Sequence, residues 1–263
     1  MLNGIPERII CITEETTELL YLLGESDRII GITGYTERPS YAKKEKPIVS
    51  SFISGNLKKI VSLNPDLVIG FSDIQSQIAK DLIELGINVL ITNQRSIFEI
   101  LENMKMISAL VGKYKEGSEL VNKFSIELEL LKNKSENLKS KPRIFFQEWN
   151  EPIISGIHWV SEAINYAGGI DIFENLRDGK LAFQRIVTKD DVLQKNPHAI
   201  IGSWCGKKVD YEWIRSQTGW SDICALKNNN LFEIDSSIIL QPGPALFLEG
   251  IPKLKSIIEN VSY

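Results

Sequence analysis

The stretch Asn64-Pro65-Asp66-Leu67-Val68-Ile69-Gly70, followed by Phe71-Ser72-Asp73, is met again as Asn196-Pro197-His198-Ala199-Ile200-Ile201-Gly202, followed by Ser203-Trp204-Cys205. Each copy reads as a helix end, a short apolar strand, and a Gly that releases the chain into a loop carrying an aromatic residue. Proline disfavours helical backbone at the residue before it, so Asn-Pro is a natural break between helix and strand. A similar helix precedes each copy, Asn56 to Leu63 and Lys189 to Lys195. The copies start 132 residues apart in a chain of 263, half its length. That spacing predicts two similar lobes rather than a short-period solenoid.

Working outward, the first half alternates short apolar strands with helices: strand Arg8 to Thr13, helix Thr17 to Leu23, strand Arg28 to Thr33, helix Asn56 to Leu63, the first copy, helix Gln75 to Leu85, and strand Ile87 to Ile91. Glu37 to Pro47 reads as a loop. Alternating strands and helices, with strands apolar throughout, predict a parallel sheet covered on both faces. From Ser96 to Lys139 the period changes. Ile97, Ile100, Leu101, Met104, Ile107, Leu110 and Val111 recur at helical spacing, and Leu120, Val121, Phe124, Leu128 and Leu131 continue it. One or two long helices are expected to carry the chain between the lobes as a rigid connector. The second half repeats the α/β pattern: strand Arg143 to Gln147, short strand Ile153-Ile154-Ser155, helix Trp159 to Ala167 stopped by Gly168-Gly169, a loop from Asp171 to Arg185, and the second copy. Strand Leu231 to Ile234 and a terminal helix Ala245 to Asn260 close it. Thr188 with Asp191 forms a variant capping box. The expected fold is α/β, two Rossmann-like lobes with parallel sheets, with an N-terminal lobe 1–95, a helical connector 96–140, and a C-terminal lobe 141–263 onto which the terminal helix packs back.

Composition narrows the function. Apolar residues at 43% and charged residues at 24% are ordinary for a globular chain. A net charge of -4 gives no support for nucleic-acid binding, which favours a basic patch. No run of 18 apolar residues is present, which excludes a membrane-spanning helix of ordinary length. The start, Met-Leu-Asn-Gly-Ile-Pro-Glu-Arg, lacks the basic, apolar and small-residue parts of a signal peptide. A cytoplasmic location is therefore expected, or a periplasmic or cell-surface one if a signal has been trimmed. Three cysteines, Cys11, Cys205 and Cys224, are not a disulfide framework. Two histidines, His158 and His198, with no metal-ligand spacing, give no expected metal site and no intrinsic cofactor.

In open parallel sheets, ligands sit outside the carboxyl ends of the strands. The loops there are rich in aromatic and amide side chains, which suits a large, flat, mostly apolar ligand. Trp149 and Trp204 follow strands directly and are candidate contacts, whereas Trp159 and Trp220 read as core. Catalytic motifs are lacking: there is no GxSxG, Walker A or GxGxxG. Glu14 and Glu15 are adjacent, point different ways, and read as helix-start electrostatics. Cys205 has no histidine placed by sequence to activate it.

Several stretches together are similar to the class III periplasmic-binding-protein fold. They are Arg8-Ile-Ile-Cys-Ile-Thr-Glu-Glu-Thr-Thr-Glu-Leu-Leu-Tyr-Leu-Leu-Gly24 with Asp27-Arg-Ile-Ile-Gly-Ile-Thr33, Asn56-Leu57 with the first copy, and Ala167-Gly-Gly with Asp171-Ile-Phe173. Phe146-Gln-Glu-Trp-Asn-Glu-Pro-Ile-Ile-Ser-Gly-Ile-His-Trp159 and Gly202-Ser-Trp-Cys-Gly206 resemble its cobalamin-binding members. The resemblance implies a monomeric, non-catalytic substrate-binding protein of an ABC-type uptake system, or a cytoplasmic relative of one, holding cobalamin or another corrinoid in a cleft between its lobes. Haem or an iron-siderophore is the alternative ligand, and an enzyme or handling protein with Cys205 or Glu14 reactive is the alternative class. By motif position the cleft residues would be Tyr35, Phe52 and Phe71 in the first lobe. Those of the second lobe would be Trp149, Phe183, Arg185 and Trp204, with Gln241 at the rim. Family members that feed a transporter carry an acidic residue near a helix start in each lobe, to meet Arg on the permease. Those positions fall at Lys58 and at Asp190 or Asp191, so one docking charge is reversed.

Overall fold

The structure is a computed structural model that describes residues 4–51 and 53–262. The chain forms two compact units: residues up to Gln94 with Phe98–Lys123, and Arg95–Ile97 with residues from Phe124 onward.

The first unit carries β1 (Ile9–Cys11), α1 (Glu14–Leu22), β2 (Ile29–Thr33), α2 (Ala42–Glu45), β3 (Ile48–Ser50), α3 (Leu57–Ser62), β4 (Leu67–Phe71), α4 (Ser76–Glu84) and β5 (Val89–Thr92). Its sheet has the order β3-β2-β1-β4-β5, and every neighbouring pair is parallel. Each residue of β1 and β4 is buried, as expected for strands covered on both faces. Ile10, Ile12, Val49, Ile60, Val68, Ile78 and Leu82 form the core. The expected loop Glu37 to Pro47 contains α2, a single turn too short to show a hydrophobic period. Two long helices follow, α5 (Ile97–Leu110) and α6 (Tyr114–Glu136), separated at Gly112, whose φ of +77° suits glycine. The boundary between the units falls inside α6, after Lys123.

The second unit carries β6 (Arg143–Asn150), β7 (Ile153–Ser155), α7 (His158–Tyr166), β8 (Ile170–Asp171), α8 (Lys189–Lys195), β9 (Ala199–Gly202), α9 (Tyr211–Arg215), α10 (Cys224–Lys227), β10 (Leu231–Glu233), α11 (Ser236–Ile239) and α12 (Ile251–Glu259). Its parallel strands run β10-β9-β6-β8, and β7 folds back antiparallel on the end of β6. The strand expected to stop at Gln147 continues to Asn150 because β7 pairs with it. The α7 helix stops at Gly168, φ +95°, the left-handed exit its sequence predicts. The loop expected from Asp171 to Arg185 opens with the end of β8 and includes two short 3-10 turns, Glu174–Leu176 and Ala182–Arg185. The terminal helix is not uniform: Leu246–Gly250 is a wide π turn before α12, next to Pro252, which lacks the N–H that would close an ordinary turn there.

The two copies match in detail. Asn56 and Thr188 are the N-caps of α3 and α8, each eight residues before its Asn-Pro. Asn64 and Asn196 both sit in the left-handed region, at φ +47° and +43°. Asparagine tolerates that conformation better than other side chains. An arginine at the head of the neighbouring strand seals each junction. Arg8 donates from Nε to the Asn64 carbonyl at 2.9 Å, and Arg143 donates from Nη2 to the Asn196 carbonyl at 2.7 Å.

The closing glycines have a different reason from the expected one. Gly70 and Gly202 lie inside β4 and β9, and neither has positive φ. They make room. A Cβ on Gly70 would stand 2.4 Å from Gln75 Oε1 and 2.8 Å from Ile91 Cδ1. A Cβ on Gly202 would stand 2.7 and 2.8 Å from the two Val209 methyls.

Candidate functional site

In each sheet the chain winds outward in both directions from one central pair of strands. In the first unit that switch lies between β1 and β4, and in the second between β6 and β9. Ligand crevices open at the carboxyl ends of such pairs.

At the first switch Gln75, 2% exposed, ties the two strand ends together. Its Oε1 accepts from Phe71 N, and its Nε2 donates to the Ile12 carbonyl, both at 2.9 Å. This is the group for which Gly70 leaves space. Ser72 follows at φ +72° and ψ 158°, a region costly for any residue with a side chain. After β1, Thr13 leads into α1. The Thr13 hydroxyl donates to Glu15 Oε2, while Glu15 Oε1 is buried with no hydrogen bond to another residue. Glu15 is 3% exposed, so it is more than a solvated helix-start charge. Burial pushes its carboxyl up to about 7, against hydrogen bonds from Thr13 and its own backbone that pull it down. Burial, then Glu15 and Glu37, push Glu14 up to about 8.

At the second switch Gln147 lies within β6 and Ser203 directly follows β9, joined by a Ser203 N–H bond to the Gln147 carbonyl at 2.9 Å. Both side chains are fully buried, and both amide atoms of Gln147 and the Ser203 hydroxyl have no hydrogen-bond partner in the protein. The indole Nε1 of Trp204 shares that state. The other two deeply buried indoles are satisfied: Trp159 donates to the Ile239 carbonyl at 3.0 Å and Trp220 to the Lys189 carbonyl at 3.1 Å. Those two are core residues, as their sequence context predicts.

The residues expected at the site divide accordingly. Trp149 and Trp204 come together through Lys207, whose ammonium lies 4.2 and 4.9 Å from their ring centres and donates to Asn150 Oδ1 at 2.8 Å. Trp204 is only 3% exposed and packs edge-on against Trp213, with centroids 5.9 Å apart, so its ring belongs to the core, and its N–H is buried there without a hydrogen-bond partner. Trp149 is half-buried, its indole N–H donating to the Glu151 carbonyl at 3.0 Å. Tyr35 and Phe183 present open rings, 44% and 67% exposed. Phe71 is buried at the end of β4, and Gln241 is half-buried. Phe52 lies outside the described residues.

Arg185, expected as a ligand contact, is engaged within the lobe. It is 1% exposed and pairs bidentately with Glu148, Nη1 to Oε2 at 2.6 Å and Nη2 to Oε1 at 3.0 Å, and Nη1 also donates to the Ser155 carbonyl. The β6–β7 register slips between Gln147 and Trp149, leaving Glu148 as the extra residue of a bulge. A bulge re-aims a side chain, and here it aims the carboxylate at Arg185. The polar pair Gln147-Glu148, interrupting the apolar run Ile144-Phe145-Phe146, was the sequence signal for these two residues.

Neither histidine joins a constellation. His198 Nδ1 accepts from Arg143 N at 3.2 Å, and burial, then Arg143, hold its pKa below the ordinary value. His158 lies 3.6 Å from Glu162 and 3.4 Å from Asp178. Among the described residues no three His, Cys, Asp or Glu side chains converge as a metal site requires, and no helix is long and apolar enough to cross a membrane.

Comparison with known proteins places this architecture. The sequence profile of the family described as periplasmic binding protein matches residues 9–238. A vitamin B12-binding protein of Vibrio vulnificus (strain CMCP6) is 30% identical over 251 residues, covering 92% of this chain and 86% of that one. The ABC transporter substrate-binding lipoprotein YvrC of Bacillus subtilis (strain 168) is 26% identical, covering 96% and 80%. The crystal structure of the periplasmic vitamin B12 binding protein BtuF of Vibrio cholerae superposes with a TM-score of 0.76 at 23% identity, covering 97% of each chain, and so shares the fold. The two lobes, the paired motifs and the profile match lead to one conclusion: the chain belongs to the periplasmic binding protein family.

Proposed function

We propose that this protein is a non-catalytic binding protein for a corrinoid, serving as the substrate-binding component of an ABC-type uptake system. The observation that carries the reading is the 30% identity, over 92% of this chain, to a relative that binds vitamin B12. The second switch point supports it. A corrin ring is broad and apolar on its faces and bears amide side chains at its edge. Trp149 and Phe183 offer ring faces, and aromatic packing suits such a ligand. The Gln147 amide, the Ser203 hydroxyl and the Trp204 N–H offer neutral donors and acceptors that have no protein partner. Leaving them unpaired costs stability, so a ligand that pairs them gains selectivity. Arg185 acts through Glu148, holding the β6–β7 hairpin rather than touching ligand.

The test is titration of the purified protein with cyanocobalamin, followed by calorimetry and by the corrin absorbance, with haemin and a ferric hydroxamate siderophore in parallel. One-to-one binding of cyanocobalamin, weakened by Gln147→Leu through loss of its amide, is expected. Binding of haemin or the siderophore with none of any corrinoid would overturn the reading.

The transporter-facing charges take a sharper form. Lys58 and Asp190 are each the second residue after an N-cap, six residues before Asn-Pro, and both are exposed. Asp191 instead accepts from Thr188 N at 2.8 Å in the capping box, so Asp190 is the equivalent of Lys58. A permease that fits this protein would present an acidic group to α3 and a basic group to α8. Lys58→Glu should weaken docking on such a permease, and a gain instead would show that both docking sites are basic.

A further inference from the structure

Glu14 and Glu15 form a carboxyl pair at the start of α1. We propose that Glu14 and Glu15 select a ligand whose edge carries amides and reject one whose edge carries carboxylates. The inference rests on the corrinoid reading and adds a charge filter to it.

The position is the first reason. Glu14 and Glu15 follow β1, one of the two strands at the topological switch of the first sheet, where a ligand crevice opens. The second reason is the set of polar atoms there. Glu15 Oε1, the Thr16 hydroxyl and the Thr36 hydroxyl are each buried without a partner from another residue, on side chains 3%, 2% and 1% exposed. Thr36 follows β2, which is the parallel neighbour of β1, so the first turn of α1, with Glu15 and Thr16, and the loop with Thr36 both leave the carboxyl end of the same sheet. A primary amide matches this set: its N–H2 donates to Glu15 Oε1 and its carbonyl accepts from a threonine hydroxyl. A carboxylate does not, because it offers no donor to Glu15 and adds charge to an acidic place.

The titratable groups around the pair come from four elements. Cys11 on β1 is held as a thiol by burial, its pKa pushed up to about 12. Glu18 lies on α1 itself. The loop after β2 supplies Glu37 and Arg38 and α2 supplies Lys43, with Lys43 Nζ donating to Glu37 Oε1 at 2.5 Å. Acids outnumber bases here once both carboxyls ionise. With Glu15 near 7 and Glu14 near 8, the pair gains its negative charge as pH rises through neutrality. Ligand carboxylates titrate at about 4 to 5, so between about pH 6 and about pH 9 only the protein changes charge. An amide can donate to the ionised form and accept from the protonated one. Its affinity should therefore hold across that range, while affinity for a carboxylate-edged ring should fall.

The probes are dicyanocobinamide, with amide side chains, and dicyanocobyrinic acid, with carboxylates on the same ring. Affinities are measured for the wild-type protein and for Glu14→Gln/Glu15→Gln. The wild type should prefer the amide ring by more than about tenfold near pH 9, and this preference should shrink several-fold near pH 6. The double variant should bind dicyanocobinamide nearly as well as the wild type and lose most of the discrimination and its pH dependence. Glu14→Gln alone, at the half-buried position, should show part of the same loss and guards against a double variant that folds poorly. A preference that is the same at both pH values, or unchanged in the variants, overturns the inference while leaving corrinoid binding in place. No binding of dicyanocobinamide or cyanocobalamin to the wild type at either pH overturns the corrinoid reading itself.

Discussion

Replacing Arg185 by methionine tests whether it is structural or a ligand contact. The guanidinium makes two bonds to Glu148, at 2.6 and 3.0 Å, and one to the Ser155 carbonyl, while the side chains of Arg185 and Glu148 are 2% and 19% exposed. Methionine keeps much of the apolar stem and removes all three bonds. Breaking a buried ion pair by deleting one partner costs about 3–5 kcal/mol, because the other charge is left uncompensated. Glu148 retains some contact with water, so the lower end, about 3 kcal/mol, is expected. Removing both charges is far milder: Arg185→Met/Glu148→Leu should lie within about 1 kcal/mol of the wild type, giving a coupling of about 2 kcal/mol or more. Urea unfolding followed by tryptophan fluorescence is the assay. All five tryptophans, Trp149, Trp159, Trp204, Trp213 and Trp220, lie in the second unit, so the signal reports the lobe that holds the pair. An Arg185→Met protein as stable as the wild type but unable to bind cyanocobalamin would refute the reasoning and return Arg185 to the ligand.

Other outcomes follow from the paired motifs and the acid pair. Gly202→Ala should cost about 2 kcal/mol by urea unfolding, because its Cβ would meet the Val209 methyls at 2.7 and 2.8 Å, and adding Val209→Ala should recover part of the loss. Asn64→Ala, at φ +47°, should cost about 1 kcal/mol, whereas Asn64→Gly should be close to neutral on the same measurement. Glu14 and Glu15 have folded pKa values raised to about 8 and about 7, so the native state holds more protons than the unfolded chain between the ordinary carboxylate range and pH 8. Their contribution is present at low pH and is lost as pH rises through that window. The melting temperature of Glu14→Gln/Glu15→Gln relative to wild type should therefore rise from pH 5 to pH 8.5, and a constant difference would contradict the burial of these groups.

The architecture was legible because it rests on local chemistry repeated twice. Asn-Pro marks a helix exit in both copies, and the apolar runs Leu67-Val68-Ile69 and Ala199-Ile200-Ile201 need only a covered sheet to make sense. The site was legible by residue type alone. Aromatics after strands could be picked out, but nothing local separates Trp204, 3% exposed, from Phe183, 67% exposed. The Arg185–Glu148 pair spans 37 residues and depends on a bulge, and no periodicity reports either. Gly70 looked like a loop release because its actual reason, the Gln75 amide lying over it, is a packing fact. Glu15 looked like a helix-start charge for the same reason: sequence places it in the first turn, and only the fold shows that it is buried there.

Cyanocobalamin titrated into the purified protein, read by calorimetry and by the visible spectrum of the corrin, tests the central claim most directly. The account expects saturable one-to-one binding that Gln147→Leu weakens. No heat and no spectral change with cyanocobalamin or dicyanocobinamide would contradict it.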